Sequence, residues 1–189
     1  KLKISLNDKY IIPCGINLKI FYPKNRKKSR NVLGWNQNKV YILFSSSFDN
    51  PVKNIDLARK SIQNLKNTKL VELKNYNKTQ LANLMNAADL LLVTSFSETG
   101  PLVVKEAAAC HCPIVSTDVG DVKNFINHGV DGFIVENNDE DALANYLKKL
   151  IDDPKLRHNL GESARKVVKD KFDLKICVRS HLDMYQKIV

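Results

Sequence analysis

Short apolar runs alternate with helix-length segments five times along this chain. The apolar runs lie at residues 40–45, 69–73, 89–95, 113–117 and 132–135. The run at residues 89–95 has no polar alternation at its centre, which is typical of a strand buried on both faces. The helix-length segments lie at residues 54–66, 78–88, 101–111, 121–127 and 139–152. This alternation predicts an α/β fold, a Rossmann-like doubly wound parallel sheet with helices on both faces.

The two ends of the chain do not follow the alternation. Residues 154–171 and 173–188 carry helical patterns with no strand after them, so we expect a C-terminal helical tail. Residues 1–39 are less regular and are punctuated by proline and glycine. The sequence therefore predicts a hinge or linker at residues 1–39, a sheet domain at 40–172 and a C-terminal helix at 173–189.

Composition narrows the class of protein. The 189 residues are 43% apolar, and no apolar run approaches the roughly 18 residues that cross a bilayer, so we expect a soluble globular domain. The net charge of +10 favours an anionic partner: nucleic acid, a phosphorylated small molecule or an acidic membrane. One dense basic cluster is more typical of a solvated loop than of a binding patch. It comprises Lys24, Arg26, Lys27, Lys28 and Arg30.

The four cysteines are too few and too scattered for a disulfide framework, so we expect a reducing, cytoplasmic compartment. The Cys110-His111-Cys112 segment lacks the second ligand pair that a zinc site needs. Small buried thiols on an apolar helix are the favoured interpretation. The chain starts at Lys1 with no targeting motif, and we expect it to be a piece of a longer protein.

Ligands of open parallel sheets bind where strands end and helices begin. After the strand at 89–95, Gly100 and Pro101 mark a sharp turn into a helix, whose first N–H groups would form an anion site. Lys105 and Glu106 are the only charges of that helix and share one narrow arc. A carboxylate buried there is costly unless it is paired or opens on a crevice, so the arc should face a crevice.

Two other interpretations of these carboxylates stay open on the residues alone. Glu98 could merely complement the helix dipole while Lys105 and Glu106 lie on a solvated edge. Glu98 and Glu106 could also be the acid and base of a glycosidase, although nothing else in the chain resembles a glycosidase site.

The spacing of Glu98 and Glu106 resembles the E-x7-E signature of the glycosyl transferases group 1 family, which are retaining, nucleotide-sugar-dependent enzymes with the GT-B fold. Further segments match the family in the same order along the chain. They are Ile11 to Asn17 with Phe21 and Pro23, Ala87-Ala88-Asp89 with Ser95, Pro113 to Thr117 with Gly120, and Gly129 to Val135. The resemblance covers roughly residues 10–170.

The resemblance implies the C-terminal, donor-binding half of a GT-B fold, with the N-terminal, acceptor-binding domain missing from this chain. It implies transfer of a hexose from a nucleotide diphosphate sugar to a glycan or lipid-linked acceptor in polysaccharide biosynthesis. The anomeric configuration is retained, and the isolated domain is expected to be inactive. We expect a cytoplasmic protein with a peripheral membrane contact as one explanation of its basic charge, and no nucleic-acid partner.

The resemblance also assigns roles to individual residues. It makes Glu98 and Lys53 catalytic, Glu98 through hydroxyls of the transferred sugar and Lys53 through the donor phosphates. Glu106 would accept hydrogen bonds from the ribose. The remaining donor-binding residues are Thr99, Gly100, Pro101, Leu102, Val103, Asn54, Lys74 and Asn75. No metal and no cofactor besides the donor is expected.

The chain departs from the family pattern at two places. An arginine commonly precedes the phosphate-binding lysine by about five residues, and this chain has Phe48, Asp49 and Asn50 there. Either Lys53 and the helix N-terminus suffice, or the missing half contributes, or donor binding is weak. A non-catalytic nucleotide-binding or scaffolding module is therefore the second hypothesis. At Asn75 the family typically has glycine, and the neighbouring Tyr76 is expected to pack rather than to stack on a base.

Overall fold

The structure, a computed structural model, describes residues 11–188, so residues 1–10 of the predicted linker and residue 189 lie outside the described part. Five parallel strands form one sheet in the order β2-β1-β3-β4-β5. The strands are β1 Val40–Phe44, β2 Thr68–Glu72, β3 Leu90–Val93, β4 Ile114–Thr117 and β5 Phe133–Val135. The helices are α1 Arg26–Leu33, α2 Ile55–Ile62, α3 Lys78–Ala87, α4 Leu102–Ala109, α5 Val122–Phe125, α6 Glu140–Asp152, α7 Pro154–Lys171 and α8 Leu174–Ile188.

The sheet is covered on both faces because each central strand is apolar on both. Leu43 and Leu91 belong to the core formed with α3, α4 and α7. Ile42 and Leu90, their neighbours in the chain, belong to the core formed with α2 and α6. All four side chains are fully buried, as expected when successive residues of a strand point to opposite faces. The predicted doubly wound α/β fold is confirmed.

The basic cluster near residue 30 differs from the solvated loop that its charge predicted. All of its members except Lys24 lie on helix α1, which is capped at its start by Asn25 and at its end by Gly34 with a left-handed φ of 65°. Arg30 is only 1% exposed and lies 2.7 Å from a carboxylate oxygen of Asp89. Its Nε also donates to the carbonyl of Ala87 at 2.8 Å. A cluster of basic residues in the sequence does not reveal that one of them, Arg30, lies on the buried face of a helix.

The N-terminal segment returns beside the last helices. Ile16 donates to the carbonyl of Phe172 at 2.7 Å and accepts from the amide of Leu174 at 3.0 Å. Helix α8 exposes a series of large apolar side chains, namely Leu174, Ile176, Val178, Leu182 and Tyr185. Within residues 11–188, none of the helices combines the length and the apolar composition that crossing a membrane requires.

Candidate functional site

The carboxyl ends of β1, β3 and β4 lie at one edge of the sheet, where the loops leading to α2, α4 and α5 meet. Glu98 lies in the loop between β3 and α4, and Glu106 lies on α4 itself. Lys53 ends a short 3-10 turn, Pro51–Lys53, between β1 and α2. The sheet topology thus brings the predicted residues of three separate segments to one edge.

Lys53 and Glu98 are in direct contact. The Lys53 Nζ lies 2.5 Å from Glu98 Oε1, and the Ser95 hydroxyl donates to the same oxygen at 2.7 Å. The backbone carbonyl of Lys53 accepts a hydrogen bond of 2.9 Å from the buried Thr94 hydroxyl, which ties the lysine's loop to the end of β3. The side chains of Lys53 and Glu98 are 18% and 11% exposed, so this ion pair is largely shielded from water.

Glu106 is paired with Lys78, a residue that sequence analysis did not single out. Its carboxylate is 5% exposed and lies 2.5 Å from the Nζ of Lys78, whose side chain is 58% exposed. Lys78 is the first residue of α3, behind the capping residue Asn77. A cation at a helix N-terminus is disfavoured by about 0.3–1 kcal/mol, and this misplaced charge was the signal that a carboxylate partner was nearby.

Lys105, the other charge of α4, is also buried and paired. Its Nζ lies 3.4 Å from Asp121 Oδ2 and 4.7 Å from the ring centroid of Phe172. With Lys105 and Glu106 only 3% and 4% exposed, the interpretation that they lie on a solvated edge is wrong. Both charges instead meet partners that reach them from neighbouring elements.

The N-terminus of α4 offers backbone donors to an anion. Pro101 is the N-cap, and no side chain within residues 11–188 makes a capping hydrogen bond there. The first-turn N–H groups, such as those of Leu102 and Val103, are therefore available to solvent or to a ligand. Thr99 and Gly100 lie in the loop immediately before this end.

The loop that carries Glu98 packs closely against the loop after β4. Gly120 has a left-handed φ of 56°, and a Cβ added to it would lie 2.5 Å from the backbone oxygen of Glu98. Such a separation is far inside van der Waals contact, so only glycine fits here without displacing Glu98. The sequence match at Gly120 therefore has a physical reason in the position of Glu98.

The other predicted donor-binding residues lie at the neighbouring loop ends. Asn54 has a φ of 52°, and its side chain caps α2. Asn75 has a φ of 59°, a left-handed conformation that suits the glycine usual for the family. Tyr76, which was expected to be a half-buried packing residue, is 44% exposed. Lys74 Nζ lies 2.6 Å from Asp49 Oδ2, and this contact raises the pKa of Lys74 and lowers the pKa of Asp49.

In the loop before Lys53, where the resemblance led us to expect an arginine, the residues make other contacts. The Phe48 amide donates to Glu72 Oε2 at 2.9 Å, and Asp49 is paired with Lys74. The Asn50 side chain accepts from the amide of Val52 at 3.1 Å and caps the 3-10 turn. These residues shape the loop, and Asp49 contributes negative charge in the region where the resemblance led us to expect an arginine.

The cysteine segment is structural. Burial raises the pKa of the Cys110 thiol to about 12 and that of Cys112 well above its ordinary value, so both remain protonated. Both side chains are buried, as expected, but they do not lie on the helix: α4 ends at Ala109, Cys110 is its C-cap and Cys112 follows. Across residues 11–188, the structure forms no group of three or more His, Cys, Asp or Glu side chains that could hold a metal ion.

Comparisons with known proteins identify a family. The model of the family described as "Glycosyl transferases group 1" matches residues 58–167. The D-inositol 3-phosphate glycosyltransferase of Paenarthrobacter aurescens is 28% identical, in an alignment that covers 82% of this chain and 46% of that protein. The chain therefore spans about half the length of this curated relative.

Solved structures share the fold. Sucrose-phosphate synthase from Thermosynechococcus elongatus superposes with a TM-score of 0.85 at 23% identity, covering 94% of this chain and 52% of that one. The Anabaena protein HepE, solved in complex with UDP-glucose, gives a TM-score of 0.78 at 20% identity, with 94% and 57% covered. Both cover this chain almost completely, and the likeness confirms the fold of one half of a GT-B glycosyltransferase.

Proposed function

The chain belongs to the glycosyl transferases group 1 family, and we propose that it is the donor-binding half of a retaining, nucleotide-sugar-dependent glycosyltransferase. The enzyme transfers a hexose to a glycan or lipid-linked acceptor in polysaccharide biosynthesis. The acceptor is bound by an N-terminal GT-B domain that this chain does not contain, so the isolated chain turns over no sugar.

One observation carries the proposal. Two shielded carboxylates, Glu98 and Glu106, lie at the same sheet edge, and each is held by a lysine from a different loop or helix. The uncapped N-terminus of α4 lies between them along the chain. A nucleotide diphosphate sugar presents hydroxyls at both ends and negative charge in the middle. Carboxylate acceptors flanking an anion site match that order of groups.

The mechanism assigns each group a task. Glu106 accepts hydrogen bonds from ribose hydroxyls, and Glu98 accepts them from hydroxyls of the transferred sugar. The α4 amides and Lys53 stabilise the diphosphate as the bond from the anomeric carbon to its phosphate oxygen breaks. The acceptor oxygen bonds to the anomeric carbon on the same face and gives its proton to the departing diphosphate. No protein nucleophile, metal or further cofactor takes part in the proposed reaction.

The net charge bears on where in the cell the reaction takes place. A net charge of +10 favours a cytoplasmic protein that contacts the inner face of an anionic membrane, because each basic group near such a surface contributes about 1 kcal/mol. This part of the proposal requires binding to anionic vesicles that weakens as salt is added.

A non-catalytic nucleotide-binding module is the second candidate, and the loop before Lys53 favours it. Asp49 lies in the region of the family arginine and holds Lys74 in an ion pair. The full-length protein distinguishes the two functions. Binding of a nucleotide sugar without release of the nucleotide diphosphate, in the presence of acceptor glycans, would support the module.

Donor binding is tested by calorimetric titration of this chain with UDP, GDP, ADP and their sugar conjugates. We expect one nucleotide to bind, and Glu106→Gln and Lys53→Met each to weaken it by about 10- to 100-fold, since a hydrogen bond to a charged group contributes roughly 1.5–3 kcal/mol. Glu162→Gln is the matched control, because Glu162 is 68% exposed on α7. Absence of binding to wild type, or equal affinity of Glu106→Gln, would refute the proposed donor site.

A further inference from the structure

Lys78 reaches a carboxylate that is otherwise closed off from water. Glu106 is 5% exposed, whereas the lysine that contacts it is 58% exposed. The contact is short, 2.5 Å between Nζ and Oε1. The side of Glu106 that meets Lys78 is therefore where its carboxylate opens toward solvent, and a ligand of Glu106 must approach beside this lysine.

The other cations of the site already have anionic partners. Lys53 is bound to Glu98 at 2.5 Å, and Lys105 lies 3.4 Å from Asp121. Lys74 is bound to Asp49 at 2.6 Å, on the loop that lacks the family arginine. Lys78 is paired as well, so a diphosphate gains a free cation only where another part of the donor takes over the carboxylate. The sugar hydroxyls can do this at Glu98 for Lys53, and the ribose can do it at Glu106 for a second cation.

Lys78 has the properties of such a cation. A ribose hydroxyl that donates to Glu106 replaces the hydrogen bond that Lys78 makes in the empty site. The lysine is then free to move, because its flexible four-carbon stem lets the ammonium group turn without a change in the backbone. Its α-carbon lies at the N-terminus of α3, where the helix dipole adds to the positive potential.

Resting on the proposed function, we infer that Lys78 is the second phosphate-binding cation of this donor site and takes the place of the missing arginine. In the empty site it neutralises Glu106. With donor bound, the ribose hydroxyls donate hydrogen bonds to Glu106 in place of Lys78, and the ammonium group of Lys78 binds the adjacent phosphate. Lys78 thus contacts the substrate, and its contribution depends on the phosphates rather than on the nucleoside.

The test compares ligands with and without phosphates. Lys78→Met and Lys78→Arg are titrated with UDP, GDP and ADP and with the matching nucleosides. We expect Lys78→Met to weaken the bound diphosphate about tenfold, since charge-assisted bonds to phosphate are among the stronger ones, and to change nucleoside affinity less than about threefold. Lys78→Arg should restore diphosphate affinity. Lys148→Met is the control, because Lys148 is 66% exposed and pairs with Asp152 on α6.

Two results would overturn the inference. Unchanged or tighter diphosphate binding by Lys78→Met would mean that the lysine only neutralises Glu106 in the absence of donor. An equal loss for nucleoside and diphosphate would mean that it acts solely through Glu106. If Glu106→Gln weakens binding and Lys78→Met does not, the inference fails while the donor site stands. If the wild-type chain binds none of the three nucleotides, the proposed function itself is refuted.

Discussion

Replacing Asp89 with asparagine should lower the free energy of unfolding of this domain by more than any single substitution on its surface. Asp89 precedes β3 and is 4% exposed. Its Oδ2 lies 2.7 Å from Arg30 Nη2 and accepts from the Tyr41 amide at 2.8 Å, while its Oδ1 is paired with Arg26 and lies 3.9 Å from Arg157 Nη2. Asn keeps the shape of the side chain and removes the charge that these guanidinium groups share.

The size of the effect follows from burial. Arg30 is 1% exposed, and burial lowers its pKa while Asp89 is the largest influence that raises it again. Removing one partner of a buried ion pair costs about 3–5 kcal/mol, because the other charge stays buried without compensation. At roughly 2–4 °C per kcal/mol for a domain of this size, the melting temperature should fall by about 6–20 °C.

Urea unfolding followed by far-UV circular dichroism measures the free energy of unfolding of wild type and Asp89→Asn. Asp152→Asn is the matched control, since its pair with Lys148 is exposed on α6 and should contribute less than about 0.5 kcal/mol. The double variant Arg30→Met with Asp89→Asn should lose at least about 1 kcal/mol less than the sum of the single losses, as contacting residues couple. A loss below about 1 kcal/mol for Asp89→Asn, or strict additivity, would refute the reasoning.

Two further predictions concern a half-buried histidine beyond the C-terminal end of α4 and the close loop contact at Glu98. Burial and neighbouring cations lower the pKa of His111 in the folded protein, so its protonation favours the unfolded state and stability should fall as pH drops below about 6.5. His111→Asn, which tolerates the local φ of 61°, should show a shallower fall in melting temperature between about pH 6.5 and 5, and identical slopes would contradict this. Gly120→Ala should weaken nucleotide-sugar binding by displacing Glu98. Gly34→Ala is the control, because Gly34 has a similar φ of 65° and an added Cβ would meet only open space. Equal affinities of the two glycine variants would show that the close approach to Glu98 is unimportant.

The fold could be predicted because each element of the sheet carries a pattern that local physics fixes. β3 lies inside the predicted run 89–95, and α6 occupies all but the first residue of the predicted helix 139–152. α1 was missed because its buried residues are Ser29 and Arg30, which give no apolar period. Arg30 is held in the core by Asp89, 59 positions away in the chain, and by the carbonyl of Ala87.

The candidate site was predictable at a coarser level. The rule that ligands bind at the carboxyl ends of parallel strands locates Glu98 and Glu106 at one edge. The pairing of Lys53 with Glu98 depends on how two loops 45 residues apart approach each other, and the pairing of Lys78 with Glu106 depends on how α3 packs beside α4. These are tertiary contacts, and neither periodicity nor spacing contains them.

These pairings bear on how a charged donor can bind tightly to a site that must also stay folded when empty. A buried carboxylate without a partner is costly, so Glu106 needs a counter-ion before the donor arrives. A rigid, permanent counter-ion would compete with the ribose, whereas an exposed lysine can exchange one anion for another. On the proposed function, the ribose hydroxyls replace Lys78 at Glu106 while the diphosphate replaces Glu106 at Lys78. Glu106 and Lys78 then each keep a hydrogen-bonding partner before and after binding, so donor binding exchanges partners instead of leaving a buried carboxylate without one.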